Sequence, residues 1–277
     1  MSFRRRVGYD LGVLVSGGMM EQSPNESILL LFQYVEKAML LNLKACLCGH
    51  NPFGVKEGFA GSAPLTILEE VLAKEDCRRI SARRLCGRWL SIYQKTKDLS
   101  QTFWRANDAD YFICIEDDDA FLERVDALVT GLRMAVASHG RTVHVEEPRC
   151  HPYADTKGTT IIVDVRVSGI DPVLSFVQAP SHIDLENVVG GFDFDIVQVM
   201  FDPISKLILT YEEVAEGIIT GKANLTRSFA VTTGAPTKFQ ASRLCSTLRR
   251  MVKYGERGYK FSSYPEIVEV DSQLLQT

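Results

Sequence analysis

The sequence predicts an α+β protein, a mixed β-sheet with flanking helices. Apolar residues recur at helical spacing near both ends of the chain. Short runs of β-branched and aromatic residues crowd its middle. The resulting order is helices, then strands, then helices again. The 277 residues are 45% hydrophobic and 24% charged, the composition of a globular protein long enough to bury a full core.

The elements follow from local patterns. "GVLVSGG" (residues 12–18) reads as a short strand ending in a glycine turn. Ser27–Cys46 reads as a helix, and Cys48–Pro64 as a loop. Leu65–Leu99 has the apolar spacing of two helices (Leu65, Leu68 and Leu72, then Leu85, Trp89 and Tyr93). "DYFICIED" (Asp110–Asp117) is a buried strand, and an amphipathic helix follows it to near Gly140. Strands are expected in "RTVHVEE", "TTIIVDVRV", "VLSFVQA", "FDFDIVQVMFD" and "KLILT". A short helix at "YEEVAEGIITG" and a longer basic one over Ser242–Tyr259 close the pattern. This divides the chain into an N-terminal strand and helix region (1–57) and a larger domain (58–277), or leaves it as one domain over 1–277.

The most apolar stretch, Ser27–Leu47, is interrupted by Gln33, Glu36, Lys37, Asn42 and Lys44. It reads as a core helix, so no membrane partner is expected. The arginine-led N-terminus lacks the apolar centre and cleavage site of a signal peptide. Seven cysteines at unrepeated spacings suggest free thiols, and hence a cytoplasmic or other intracellular protein of unknown oligomeric state. The net charge of −4 is unevenly spread. Residues 222–261 hold nine basic residues and one acid, a net +8, which leaves −12 elsewhere. Such a stretch suits an anionic partner, a nucleoside triphosphate or nucleic acid.

Asp108 and Asp110 stand two apart where a strand begins, so both carboxylates project to one side. Paired aspartates supply the hard oxygens that magnesium prefers, and two such ions can clamp a triphosphate and activate a hydroxyl. Asp164 lies inside an apolar strand, on one face with Ile162 and Arg166. An acid there needs a partner, either a metal or Arg166. Gly61 and Ser62 precede a helix, where glycine admits close backbone approach and the hydroxyl and helix amides can hold phosphate.

These motifs resemble the nucleotidyltransferase superfamily, the DNA polymerase β-like fold. The matching pieces are "AGS" at Ala60–Ser62, "DAD" at Asp108–Asp110 and "VDVR" at Val163–Arg166, with a helical insertion over about 65–100. "GGFDFDIVQVMFDP" and "STLRRMVKYGERGYKF" look similar to uncharacterised nucleotidyltransferase-like proteins of large DNA viruses and protists. The resemblance spans residues 58–261 through short motifs. It implies that Asp108, Asp110 and Asp164 bind Mg2+ and are catalytic, and that Gly61 and Ser62 hold the triphosphate. The implied reaction is nucleotidyl transfer from a nucleoside triphosphate to a hydroxyl acceptor.

Other features have competing readings. "EDDD" (Glu116–Asp119) reads as a strand end and helix cap. "FDFD" sets Asp193 and Asp195 on one strand face as a rival acid pair. "VSGG" (Val15–Gly18) is a second glycine motif. Cys46, Cys48 and His50, joined by His144, Cys150 and His151, would make a zinc site without the usual paired spacing. In the basic helix, Leu244, Leu248, Met251 and Val252 form an apolar stripe, and Arg249, Arg250 and Lys253 are candidate phosphate contacts. Tyr254 and Tyr259 are near enough to stack on a base. The second functional reading is a non-enzymatic nucleic-acid-binding or scaffold protein, of viral type, that uses the +8 segment on a degenerate transferase fold.

Overall fold

β-Branched and aromatic runs in the middle of the chain pair into one mixed sheet of nine strands. The computed structural model describes residues 6–10, 26–41, 56–73, 106–152, 159–180, 183–204, 207–226 and 238–262. The strands of this sheet are β1 (Arg6–Asp10), β2 (Glu57–Ala60), β3 (Asp108–Cys114), β4 (Val143–Val145), β5 (Arg149–Pro152), β6 (Thr159–Val167), β7 (Val173–Ala179), β8 (Met200–Asp202) and β9 (Leu207–Tyr211). Eight of them run in the order β1-β9-β8-β2-β3-β7-β6-β4, and β5 pairs further along β6. Neighbours are antiparallel except β3 and β7, which are parallel. The helices are α1 (Glu26–Leu41), α2 (Ser62–Ala73), α3 (Asp118–Ala137), α4 (Leu185–Gly190), α5 (Glu212–Thr220) and α6 (Lys238–Glu256). Two short strands, Lys222–Ala223 and Lys260–Phe261, form a separate parallel pair.

Alternation along the central strands splits the apolar residues between two layers. Ala109, Tyr111, Ile113, Val163, Val165, Leu174 and Phe176 point into the main core beneath α1, α2 and α3. Phe32 of α1 anchors that layer, its ring 4.3 Å from Phe59 and 4.5 Å from Phe201. On the other face Phe112, Cys114, Val177 and Ala179 make a smaller cluster with Leu185, Val188 and Val189 of α4. The acids share this second face, towards the end where β3 begins.

Helix caps follow local chemistry. Asp117 accepts a hydrogen bond from the Ala120 amide at 2.8 Å, so the "EDDD" run is the cap of α3. Cys114, Cys150 and Cys245 are free thiols. Among the described residues, no helix is long and apolar enough to cross a membrane.

Several expectations change. Strand β2 lies inside the segment read as a loop. Glycine is required there because a Cβ at Gly58 would stand 2.8 Å from the Phe201 carbonyl oxygen and 2.9 Å from Leu185. "FDFDIVQVMFD" is a strand only over Met200–Asp202. Its first half folds into a 3-10 turn at Asp195–Val197, because Asp193 and Asp195 are buried and bind groups on other elements. They are therefore not a paired face of a strand. Among the described side chains of α6, Thr247, Met251 and Tyr254 are buried, whereas Leu248 and Val252 are exposed. The apolar stripe expected through Leu248 and Val252 is thus rotated. Tyr254 and Tyr259, each 4% exposed, are core residues unable to stack on a base. The "VSGG" motif, the second helix of Leu65–Leu99, Cys46, Cys48 and His50 lie outside the described residues.

Candidate functional site

Sheet register assembles the site. Asp110 on β3 stands opposite Ser175 on β7, and Ser175 stands opposite Asp164 on β6. Directly paired residues project from the same face. Two acids therefore flank one serine in a row across three strands, with roughly 10 Å between the outer Cα positions at ordinary strand spacing. Asp108 precedes Asp110 by one pleat on the same face. The Ser175 hydroxyl donates to Asp164 Oδ1 at 2.6 Å, and so orients the third acid.

The glycine–serine pair arrives from the neighbouring strand. Ala60, the last residue of β2, is paired with Asp110, so the chain turns into α2 beside the acids. Gly61 makes the turn at φ 85°, a left-handed conformation that suits glycine. Its amide donates to the Val199 carbonyl at 2.9 Å. Ser62 opens α2, and its Oγ donates to Asp108 Oδ1 at 3.2 Å across 46 residues of sequence.

Electrostatics express this crowding. Burial first, then Asp108 and then Asp164, push the Asp110 carboxyl up to about 7, while Arg149 and Arg250 pull it down. Lys253 on α6 faces the same acids. Burial and the adjacent Arg257 hold its ammonium below the ordinary lysine range, and Asp108 and Asp110 draw it back. Arg250 meets both oxygens of buried Asp193, at 2.7 and 2.8 Å, and Thr247 Oγ1 donates to the same carboxylate at 2.8 Å. Arg249 is exposed and lies across the helix from Met251.

No protein family matches the sequence, and no curated protein matches it.

Asp164 pairs with Arg149 rather than with Arg166. The Arg149 Nε and Nη2 donate to its two oxygens at 3.1 and 3.4 Å. Arg166 instead bonds Glu146 at 2.7 Å, because Glu146 continues β4 beside it. The rival aspartates have structural roles. Asp193 holds α6, and Asp195 accepts from the Asn224 amide at 2.8 Å and from its side chain at 2.6 Å. Ser175 and Arg149 escaped the sequence reading, and Asp193, expected as half of a rival acid pair, instead binds Thr247 and Arg250. The one available signal was a serine in an otherwise apolar stretch of β7.

Among the described residues, no group of three or more His, Cys, Asp or Glu side chains is gathered tightly enough to hold a metal ion by itself. The donors on offer are the coupled carboxylates of Asp108 and Asp110, with Asp164 held across Ser175. Magnesium is commonly bound by one or two carboxylates together with waters and substrate phosphates. Burial is the larger cause of the raised Asp110 carboxyl, and the repulsion from Asp108 and Asp164 that adds to it is what a divalent cation would relieve. On both counts the donor set suits a hard cation such as magnesium better than a zinc cage.

Proposed function

We propose that the protein is a magnesium-dependent nucleotidyltransferase, moving a nucleotidyl group from a nucleoside triphosphate to a hydroxyl acceptor. The observation that carries this reading is the meeting of three strand acids with a glycine–serine turn and a half-buried lysine on one sheet face. Asp108 and Asp110 would hold Mg2+, which neutralises phosphate charge and lowers the barrier to in-line displacement. Gly61 turns the chain beside the acids, and the Ser62 hydroxyl stands beside Asp108, where it would orient a phosphate. Lys253 and Arg250 place positive charge where the leaving pyrophosphate would accumulate negative charge. Asp164 stands where the acceptor hydroxyl approaches. The hydroxyl oxygen bonds to the α-phosphorus, the bond to the β-bridging oxygen breaks, pyrophosphate leaves, and the hydroxyl proton passes to Asp164 or to solvent.

The test is incorporation of labelled nucleotide from each of the four triphosphates, with and without Mg2+. Transfer that requires Mg2+ and is lost in Asp108→Asn and Asp110→Asn supports the reading. The second reading draws on the exposed basic positions Arg249 and Lys260, which need no metal to meet nucleic acid. Salt-sensitive nucleic-acid binding that is indifferent to Mg2+, in a protein that never transfers nucleotide, would favour it.

A further inference from the structure

Cations border the acid row on both sides. One border is α6, with Arg250 and Lys253. The other is the sheet edge, where Arg149 on β5 sits opposite Ile162 and leans along β6 to Asp164. The Arg149 side chain is 52% exposed, against 15% for Asp164. Its Nε and Nη2 face the carboxylate, which leaves the outer side of the guanidinium towards solvent. A guanidinium has five donors in a rigid fork, so one that grips a carboxylate can still present N–H groups to a second anion.

We infer that Arg149 is the acceptor-binding residue, and that the acceptor is a nucleotide carrying a phosphate ester close to its attacking hydroxyl. The inference rests on the nucleotidyltransferase reading in one respect, that the hydroxyl approaches Asp164. A hydroxyl delivered there brings the groups a few bonds away against Arg149, on the side opposite the triphosphate. Arginine selects phosphate among such groups through paired N–H contacts. A neutral sugar or an amine would leave the exposed guanidinium edge in water, and an amine would be repelled by it. This surface also differs from the basic stretch 222–261. The acceptor lies along β5 and β6, not along α6.

The experiment measures two affinities by separate readouts. Binding of a short fluorescent oligoribonucleotide with a free 3′-hydroxyl is followed by anisotropy. Binding of Mg2+–ATP is followed by calorimetry. Both use the full chain and the Arg149→Gln and Arg149→Lys variants, whose folding is checked by thermal melting. Loss of one charge-assisted phosphate contact predicts about tenfold weaker oligonucleotide binding in Arg149→Gln. The salt slope should fall by about one. Arg149→Lys should recover part of the affinity, and Mg2+–ATP binding should stay within about twofold in both variants. A mononucleotide competitor distinguishes the two acceptor sources: strong competition marks a single nucleotide, weak competition the end of a strand. Unchanged oligonucleotide binding in Arg149→Gln overturns the inference, and so does a parallel loss of ATP binding, which would make Arg149 a triphosphate contact. Wild-type protein that binds oligonucleotide through Arg149 but binds none of the four nucleoside triphosphates with Mg2+ would overturn the transferase reading alone and leave the phosphate contact standing.

Discussion

Asp193 grips Arg250 through both carboxylate oxygens, at 2.7 and 2.8 Å, and ties the basic helix α6 to the turn before β8. Thr247, one helical turn earlier, donates to the same carboxylate at 2.8 Å. The acid side chain is 8% exposed and the arginine 51%. The pair is therefore anchored at its buried end and screened at the other. Its removal leaves a buried hydroxyl without its acceptor and an arginine without its counter-ion. Asp193→Ala should cost about 2 kcal/mol, below the range for fully buried pairs because Arg250 can turn to water. Asp193→Asn keeps an acceptor for Thr247 and should cost less. Urea denaturation of both variants measures the difference.

The Asp110 carboxyl, pushed up to about 7 against 3.8 for an ordinary aspartate, makes stability depend on pH in a definite direction. Between those values the folded state holds a proton that the unfolded chain has released. The contribution is therefore present at low pH and lost as pH rises towards 7, by up to about 4 kcal/mol. Asp110→Asn has no proton to lose. The wild type should fall relative to this variant between pH 4 and pH 8, and melting curves across that range should converge at the acid end. Asp110→Asn should also abolish Mg2+-dependent transfer. A purely structural aspartate would instead lose stability on substitution.

Much of the fold was legible because strands β3 and β6 each carry an uninterrupted apolar face, β7 is apolar apart from Ser175 and Gln178, and β-branched and aromatic residues mark all three as strands. The acid pair was legible as a pair because i and i+2 share a strand face whatever the tertiary context. The partners were not. Ser175 and Arg149 meet Asp164 only through the register between strands, which no local pattern encodes. Strand β2 was hidden because Gly58 and Gly61 look like loop residues. One glycine is demanded by the close approach of β8 and the other by a left-handed turn. "FDFD" shows the opposite error. Its alternation suits a strand, but burying Asp193 and Asp195 is possible only where Arg250, Thr247 and Asn224 supply donors, and those donors bend the chain into a turn.

Gly61 provides a test of the turn itself. A Cβ there would meet only Phe192, at 3.6 Å, an ordinary contact, so the cost of Gly61→Ala comes from φ 85° and not from a clash. An L-residue in that conformation costs about 1–2 kcal/mol. Ser62→Ala loses one half-buried hydrogen bond to Asp108 and should cost about 1 kcal/mol or less. If the hydroxyl orients phosphate, Ser62→Ala should raise KM for the triphosphate by more than its small stability loss accounts for. Steady-state kinetics alongside denaturation separates the two effects.

Arg249, Arg250 and Lys253, three of the five basic residues of α6, should respond differently to substitution. Arg249 is exposed on the side away from the buried residues of the helix. Arg249→Glu should therefore change stability by under about 0.5 kcal/mol and leave triphosphate affinity intact. Arg250→Glu sets a carboxylate against the buried Asp193 carboxylate, so like charges replace an ion pair. It should lower the melting temperature by several degrees, since about 1 kcal/mol already shifts a chain of this size by about 2–4 °C. Lys253 is the discriminating case. Burial and Arg257 disfavour its charge, and the acids below it offset that cost only in part. Replacement by methionine keeps the buried stem and removes a strained charge. Lys253→Met should then fold as stably as wild type or more so, yet bind Mg2+–ATP about tenfold more weakly, the loss expected for one charged phosphate contact. Calorimetric titration and melting of the same preparation give both quantities. A variant that melts lower and binds the nucleotide normally would make Lys253 a packing residue and take α6 out of the phosphate site.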